Sequence, residues 1–213
     1  MVVIAILGAA RLAIADDSMG HSQHGSAFDT GLRQKPWRME GIGKEVPFFV
    51  VPYCPAEHLA IETILGNLIN KLRHKGVRVL QINLYDLSKE LMDQEGDWQH
   101  WIAHEVATPK SDLLEALQNL TDAETKLAPT IASKIASTDF DVLFLSGVGE
   151  VFPYIRSHTV LNNLQSVAKS HPMVIFFPGD YSHSLEDGAS LDLFGRLHDD
   201  KYYRAFNIFD RET

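Results

Sequence analysis

Residues 141–150 read DVLFLSGVGE. Val142, Leu143, Phe144 and Leu145 leave no polar position between them, so a strand formed here has no face to give to water. Strands of that kind belong to sheets covered on both sides, which are usually parallel. Other segments share the character. Phe48-Phe49-Val50-Val51 follows Pro47 and stops at Pro52-Tyr53-Cys54-Pro55. Residues 77–85 (VRVLQINLY) mix alternation with continuous apolarity, and residues 173–177 (MVIFF) end at Pro178-Gly179-Asp180. Residues 202–209 supply a last strand. Proline and glycine are the turn formers that bound such runs.

Helical patterns separate these runs. Pro55 suits the first turn of a helix. Ile61, Ile64, Leu65, Leu68, Ile69 and Leu72 then follow at helical spacing. Lys71, Arg73, His74 and Lys75 crowd its last turn, where positive charge meets the negative end of the helix dipole, and Gly76 stops it. Ser88 reads as the cap of a helix over 88–107. Two more are predicted over 113–120 and 126–136, capped by Asp112 and Asp122, and helical character returns over 152–168. Strands alternating with helices predict an α/β fold with three layers: a mostly parallel sheet of about five strands with helices on both faces. The core strands are 48–53, 77–85, 141–146, 173–177 and 202–209. The stretch between the second and third strands, about 55 residues, must be a helical insert, because a structureless loop of that length is improbable in a compact domain.

The N-terminus stands apart. Residues 2–10 (VVIAILGAA) are apolar but shorter than the roughly 20 residues a bilayer span needs. Arg11 follows the run, whereas a secretory signal carries its positive charge ahead of it. MGHSQHGS, from Met19, reads as a flexible linker. The chain therefore divides into a leader, residues 1–27, and a single α/β domain, residues 28–213. At 213 residues and 45% hydrophobic content, the chain needs no disulfide or metal staple. The lone Cys54 cannot form an internal disulfide, and no segment is predicted to enter a membrane. A net charge of -9 argues against DNA as the main ligand, because duplex binding gains its affinity by neutralising phosphates.

In open α/β sheets, ligands gather beyond the carboxyl ends of the strands. The turn Gly147-Val148-Gly149-Glu150 lies at such an end. Gly147, Gly149 and Glu150 are candidates for a ligand or anion loop, since a strand–glycine–helix turn presents backbone N–H groups. The third glycine of a dinucleotide fingerprint is missing, and G-x-x-x-x-G-K-[S/T] occurs nowhere. A tight turn that needs glycine's backbone freedom explains the same residues. Beyond it, Tyr154, His158, Asn162 and Gln165 fall near one helical face, Leu161, Leu164, Val167 and Ala168 on another, and Arg156 flanks the apolar side. Tyr154, Arg156, His158 and Asn162 are thus candidates for an interaction surface. Residues 199–206 (DDKYYRAF) place Tyr202, Arg204 and Phe206 on one strand face and Tyr203 and Ala205 on the other. With Arg196 nearby, Tyr202 and Arg204 have the composition of an interface hot spot.

Catalytic chemistry finds no complete constellation. His100 and His104 are four apart, but no third metal ligand accompanies them. Phe144 stands where G-x-S-x-G around Ser146 needs its first glycine, and Cys54 has no basic neighbour. No catalytic residue, metal or cofactor is assigned.

Residues 41–53 (GIGKEVPFFVVPY), 79–87 (VLQINLYDL), 141–165 (DVLFLSGVGEVFPYIRSHTVLNNLQ) and 191–208 (LDLFGRLHDDKYYRAFNI) resemble the BrxB family. BrxB is the small accessory subunit of BREX, or bacteriophage exclusion, defence systems. The resemblance covers about residues 36–209 and rests on long, unusual strings. It implies a bacterial or archaeal cytoplasmic protein, encoded beside an ATPase, a DNA methyltransferase and PglZ, an alkaline-phosphatase-like protein. It implies no catalytic residues. It points to a non-catalytic subunit acting through protein–protein contacts, with PglZ as the direct partner and other BREX subunits as further ones. The alternative, read from the residues, is a nucleotide- or phosphate-binding regulatory protein or weak enzyme using the 147–150 loop.

Overall fold

The computed structural model describes residues 48–168, 171–184, 188–198 and 205–209. The leader expected at residues 1–27 lies outside them, as do Tyr202, Tyr203 and Arg204. The strands are β1 (Phe48–Tyr53), β2 (Val79–Asn83), β3 (Val142–Ser146), β4 (Met173–Ser184), β5 (Gly188–Leu193), β6 (Leu197–His198) and β7 (Ala205–Asn207). The helices are α1 (His58–His74), α2 (Leu84–Glu95), α3 (Asp97–His104), α4 (Lys110–Leu120), α5 (Ala128–Ser137) and α6 (Ser157–Val167).

The five core strands lie side by side in the order β2-β3-β4-β1-β7, every neighbouring pair parallel. From β1 the chain crosses through α1 to the far edge and enters β2. It then steps back through β3 to β4, beside its starting point. Right-handed crossovers travelling in opposite directions put their helices on opposite faces. Accordingly, α1 buries Ile61, Ile64, Leu65, Leu68 and Leu72 against Val51, Phe144, Val174 and Phe176. On the other face, Leu84, Leu87 and Leu91 of α2, Ile131 of α5 and Leu161 and Leu164 of α6 pack on Val50, Leu143, Leu145, Ile175 and Phe177. All five residues of β3 are buried, as a strand without a polar position requires.

Several boundaries depart from the sequence reading, each because a distant contact decides them. The second strand ends at Asn83, whose side chain accepts from the N–H groups of Tyr85 (2.8 Å) and Asp86 (3.3 Å) and so caps α2. Ser88 is therefore inside α2 and not its cap; fully buried, it donates to the Tyr85 carbonyl at 2.8 Å. The helix predicted over 88–107 breaks at Gly96 into α2 and α3. Asp122 does cap, accepting from Thr125 N–H at 2.8 Å, but a π-turn (Ala123–Leu127) precedes α5. Asp112 lies within the first turn of α4, behind Pro109. The helix predicted from Phe152 begins at Ser157, after turns and a bend over 148–155. β4 runs past Pro178 to Ser184: its second half leaves the parallel sheet and pairs antiparallel with β5, which pairs with β6. At that departure a Cβ on Gly179 would collide with the Asp192 carbonyl, so only glycine lets the two backbones close up.

Two contacts fasten the β2–β3 pair. At its start, the Arg78 N–H and Nε donate to Asp141 Oδ2 at 2.8 and 3.0 Å, Nη2 donates to Oδ1 at 2.9 Å, and Nη1 bonds Asp139. These bonds to Arg78 hold the Asp141 carboxyl down at about 2, below its ordinary 3.8. At its end, Gly147 turns with φ 77° directly against the Asn83 cap, where any Cβ would strike the Asn83 amide.

Asp141→Asn is expected to lower the melting temperature at neutral pH. A depressed carboxyl contributes fully above its unfolded value, so the wild-type advantage should persist down to about pH 4 and fade as pH drops toward 2; melts across pH 7 to 3 check it. Gly147→Ala should destabilise by about 1–3 kcal/mol, from the left-handed backbone alone, with the collision added to it, as read by urea unfolding.

Candidate functional site at the carboxyl ends of the strands

Strands β1, β2 and β3 end at Tyr53, Asn83 and Ser146. Between these ends, on the α1 side of the sheet, opens a cleft of about 80 Å³. Tyr53, His58, Glu62, Asn83, Ser146 and Glu150 give it polar walls, over an apolar floor that includes Phe176.

His58 is the first residue of α1, set there because the chain turns at Pro55 straight out of β1. Glu62 follows one helical turn on, and Glu150 arrives from the turn after β3. The His58 Nε2 lies 3.7 Å from a carboxylate oxygen of each. Its Nδ1 lies 3.1 Å from the Tyr53 hydroxyl, and the two rings stack with centroids 6.3 Å apart. Burial, and after it the charges of Glu150 and Glu62, pushes the Tyr53 phenol up to about 12. One ligating atom from each of His58, Glu62 and Glu150 lies within 4.8 Å of the other two, the one such set among the described residues. The Ser146 hydroxyl is buried in the same cleft and has no hydrogen-bond partner among the described residues.

The candidate residues read from the sequence are dispersed around this point. Gly147 serves the close approach to Asn83, and Gly149 packs against Pro178 and Phe194. Of the anion-loop candidates, Glu150 alone turns a side chain toward the cleft's charged cluster. The turn does not run into the α6 N-terminus, which starts only at Ser157, and Glu150 and Glu62 make this corner negative. Both features oppose phosphate. Tyr154 is half-buried, its hydroxyl 3.3 Å from Ser88 Oγ, and its phenol is pushed up mainly by burial. Arg156, just before α6, and Asn162, on it, are exposed, while His158 is half-buried. Arg196 is exposed in the turn between β5 and β6. His100 and His104 stack at 4.3 Å, with His104 Nδ1 bonded to the His100 carbonyl at 2.7 Å. Sequence reasoning passed over His58 and Glu62. Their signal was an i,i+4 pair opening the helix after β1, at the same end of the sheet as Glu150.

No solved structure matches this chain. The family model described as BREX protein BrxB matches residues 80–208. A BREX protein BrxB of Bacillus cereus (strain H3081.97) is 33% identical over 176 residues, 81% of this chain and 88% of that protein. A BREX protein BrxB of Escherichia coli O9:H4 (strain HS) is 26% identical over 168 residues, 79% of this chain and 80% of that one. The matched range takes in nearly all of β2, β3 with its turn, and β7, the elements that frame the cleft and the sheet edge. On the family model and the 33% identity together, the chain belongs to the BrxB family of BREX system components.

Proposed function

We propose that this chain is a non-catalytic accessory subunit of a BREX anti-phage defence system and acts through protein–protein contacts, with PglZ as its direct partner. Family membership supplies the system. The observation that carries the mode of action is the β7 edge of the sheet. Among the described residues β7 pairs with β1 alone. Phe206 on it is 43% exposed and tilts against Phe49 with ring centroids 6.1 Å apart. Phe209 just beyond is 40% exposed. An open edge carrying exposed aromatic rings is a surface that a partner strand or groove covers, and an aggregation hazard if left bare.

Two further features support contact over chemistry. The nucleophile and acid–base patterns are incomplete in the sequence. In the cleft the Ser146 hydroxyl has no base within hydrogen-bond reach among the described residues, and the Tyr53 phenol beside His58 is pushed up to about 12, which keeps it protonated. The net charge of -9 opposes duplex DNA as the main ligand. No described helix is long and apolar enough to cross a membrane.

Purified chain and PglZ are expected to co-elute on gel filtration, and Phe206→Ser should weaken that complex at least about tenfold, as truncation of an aromatic anchor does. The chain alone should not retard duplex DNA at about 0.15 M salt, where non-specific contacts are screened. Tight DNA binding without a PglZ complex contradicts the reading.

A further inference from the structure

We propose that His58, Glu62 and Glu150 bind a single divalent transition-metal ion of the Zn²⁺ type at the mouth of the cleft. The three side chains come from the start of α1 and the turn after β3, and their ligating atoms lie within 4.8 Å of one another. The 3.7 Å separations from His58 Nε2 to both carboxylates are too long for hydrogen bonds. They are close to the spacing of ligands around one ion: at bond lengths of about 2.1 Å and tetrahedral angles, neighbouring ligand atoms are about 3.4 Å apart.

The surroundings agree with a cation. Among the described residues, the ion-pair partner of both carboxylates is His58, and no lysine or arginine reaches either. The Tyr53 hydroxyl at 3.1 Å occupies the His58 Nδ1. With the proton on Nδ1, the Nε2 lone pair faces two carboxylates, an arrangement that an ion among them makes favourable. Metal-bound histidines are oriented in this way, through a hydrogen bond on the other ring nitrogen. Ser146 is the independent sign. Its hydroxyl is buried and without a hydrogen-bond partner among the described residues, it lines the same cleft, and its residue is 8% exposed. Three protein ligands leave a coordination position for water, and a polar group set in the cleft wall suits that water as a partner.

The imidazole biases the choice of ion: it suits Zn²⁺ and its transition-metal neighbours over Mg²⁺ or Ca²⁺, which prefer all-oxygen sites, and the set lacks the thiolates that favour Cu(I). The site stands or falls apart from the PglZ contact, since its readout is metal binding by this chain alone.

The test is isothermal titration of the full-length chain with Zn²⁺ at pH 7.5. One equivalent should bind saturably, and millimolar Mg²⁺ should not displace it. Glu150→Gln and Glu62→Gln, both changes at partly exposed side chains, should each weaken binding by about tenfold to 100-fold, with unchanged circular dichroism. His100→Asn/His104→Asn, which removes the stacked histidine pair of α3, should leave the high-affinity equivalent intact. Absence of saturable binding, displacement by Mg²⁺, or binding that survives loss of both glutamates but not of His100 and His104 overturns the proposal.

Discussion

Over its first half, β4 is hydrogen-bonded on both sides, to β3 and to β1. The rest of the molecule depends on that double pairing. β1 is the first strand of the core, yet it sits between β4 and β7, and β2 and β3 reach it only through β4. Met173 to Phe177 are all buried, so neither face of this central strand meets water. The parallel order also fixes handedness: one crossover leads out and two lead back, which puts α1 on one face and the insert and α6 on the other.

That order brings both surfaces of interest to the α1 side. The cleft forms where β1, β2 and β3 end, with α1 starting beside them. The aromatic edge forms where β7 adds to β1, with Phe49 packed against the α1-side core. Polar side chains collect at the first and aromatic ones at the second. The first is the proposed cation site and the second the proposed protein contact.

The sheet was legible because its central strands, β3 and the first half of β4, are buried on both faces: an apolar run needs no partner residue to declare itself. α1 was legible for the same local reason, its apolar positions recurring at helical spacing. What escaped was set by contacts between elements distant in sequence. Asn83 reads as part of a strand until its side chain is seen capping α2. The extension of β4 beyond Pro178 is visible only with β5 beside it. The insert's helices were legible as a class but not in their breaks. The cluster of His58, Glu62 and Glu150 unites the exits of β1 and β3, and spacing along the chain cannot express it. The glycines of the 147–150 turn lie at the same end of the sheet as this cluster, where the meeting of Glu150 with Glu62 opposes an anion.

In the proposed cation site, the parallel order β2-β3-β4-β1-β7 brings together ligands from the exits of β1 and β3. A crystal structure of the chain grown with Zn²⁺, with data recorded at the zinc absorption edge, tests it most directly. This strand order is expected, with one strong anomalous peak about 2.1 Å from His58 Nε2 and from a carboxylate oxygen of both Glu62 and Glu150. A different order around β1, or zinc found at other residues and not at these three, would contradict it.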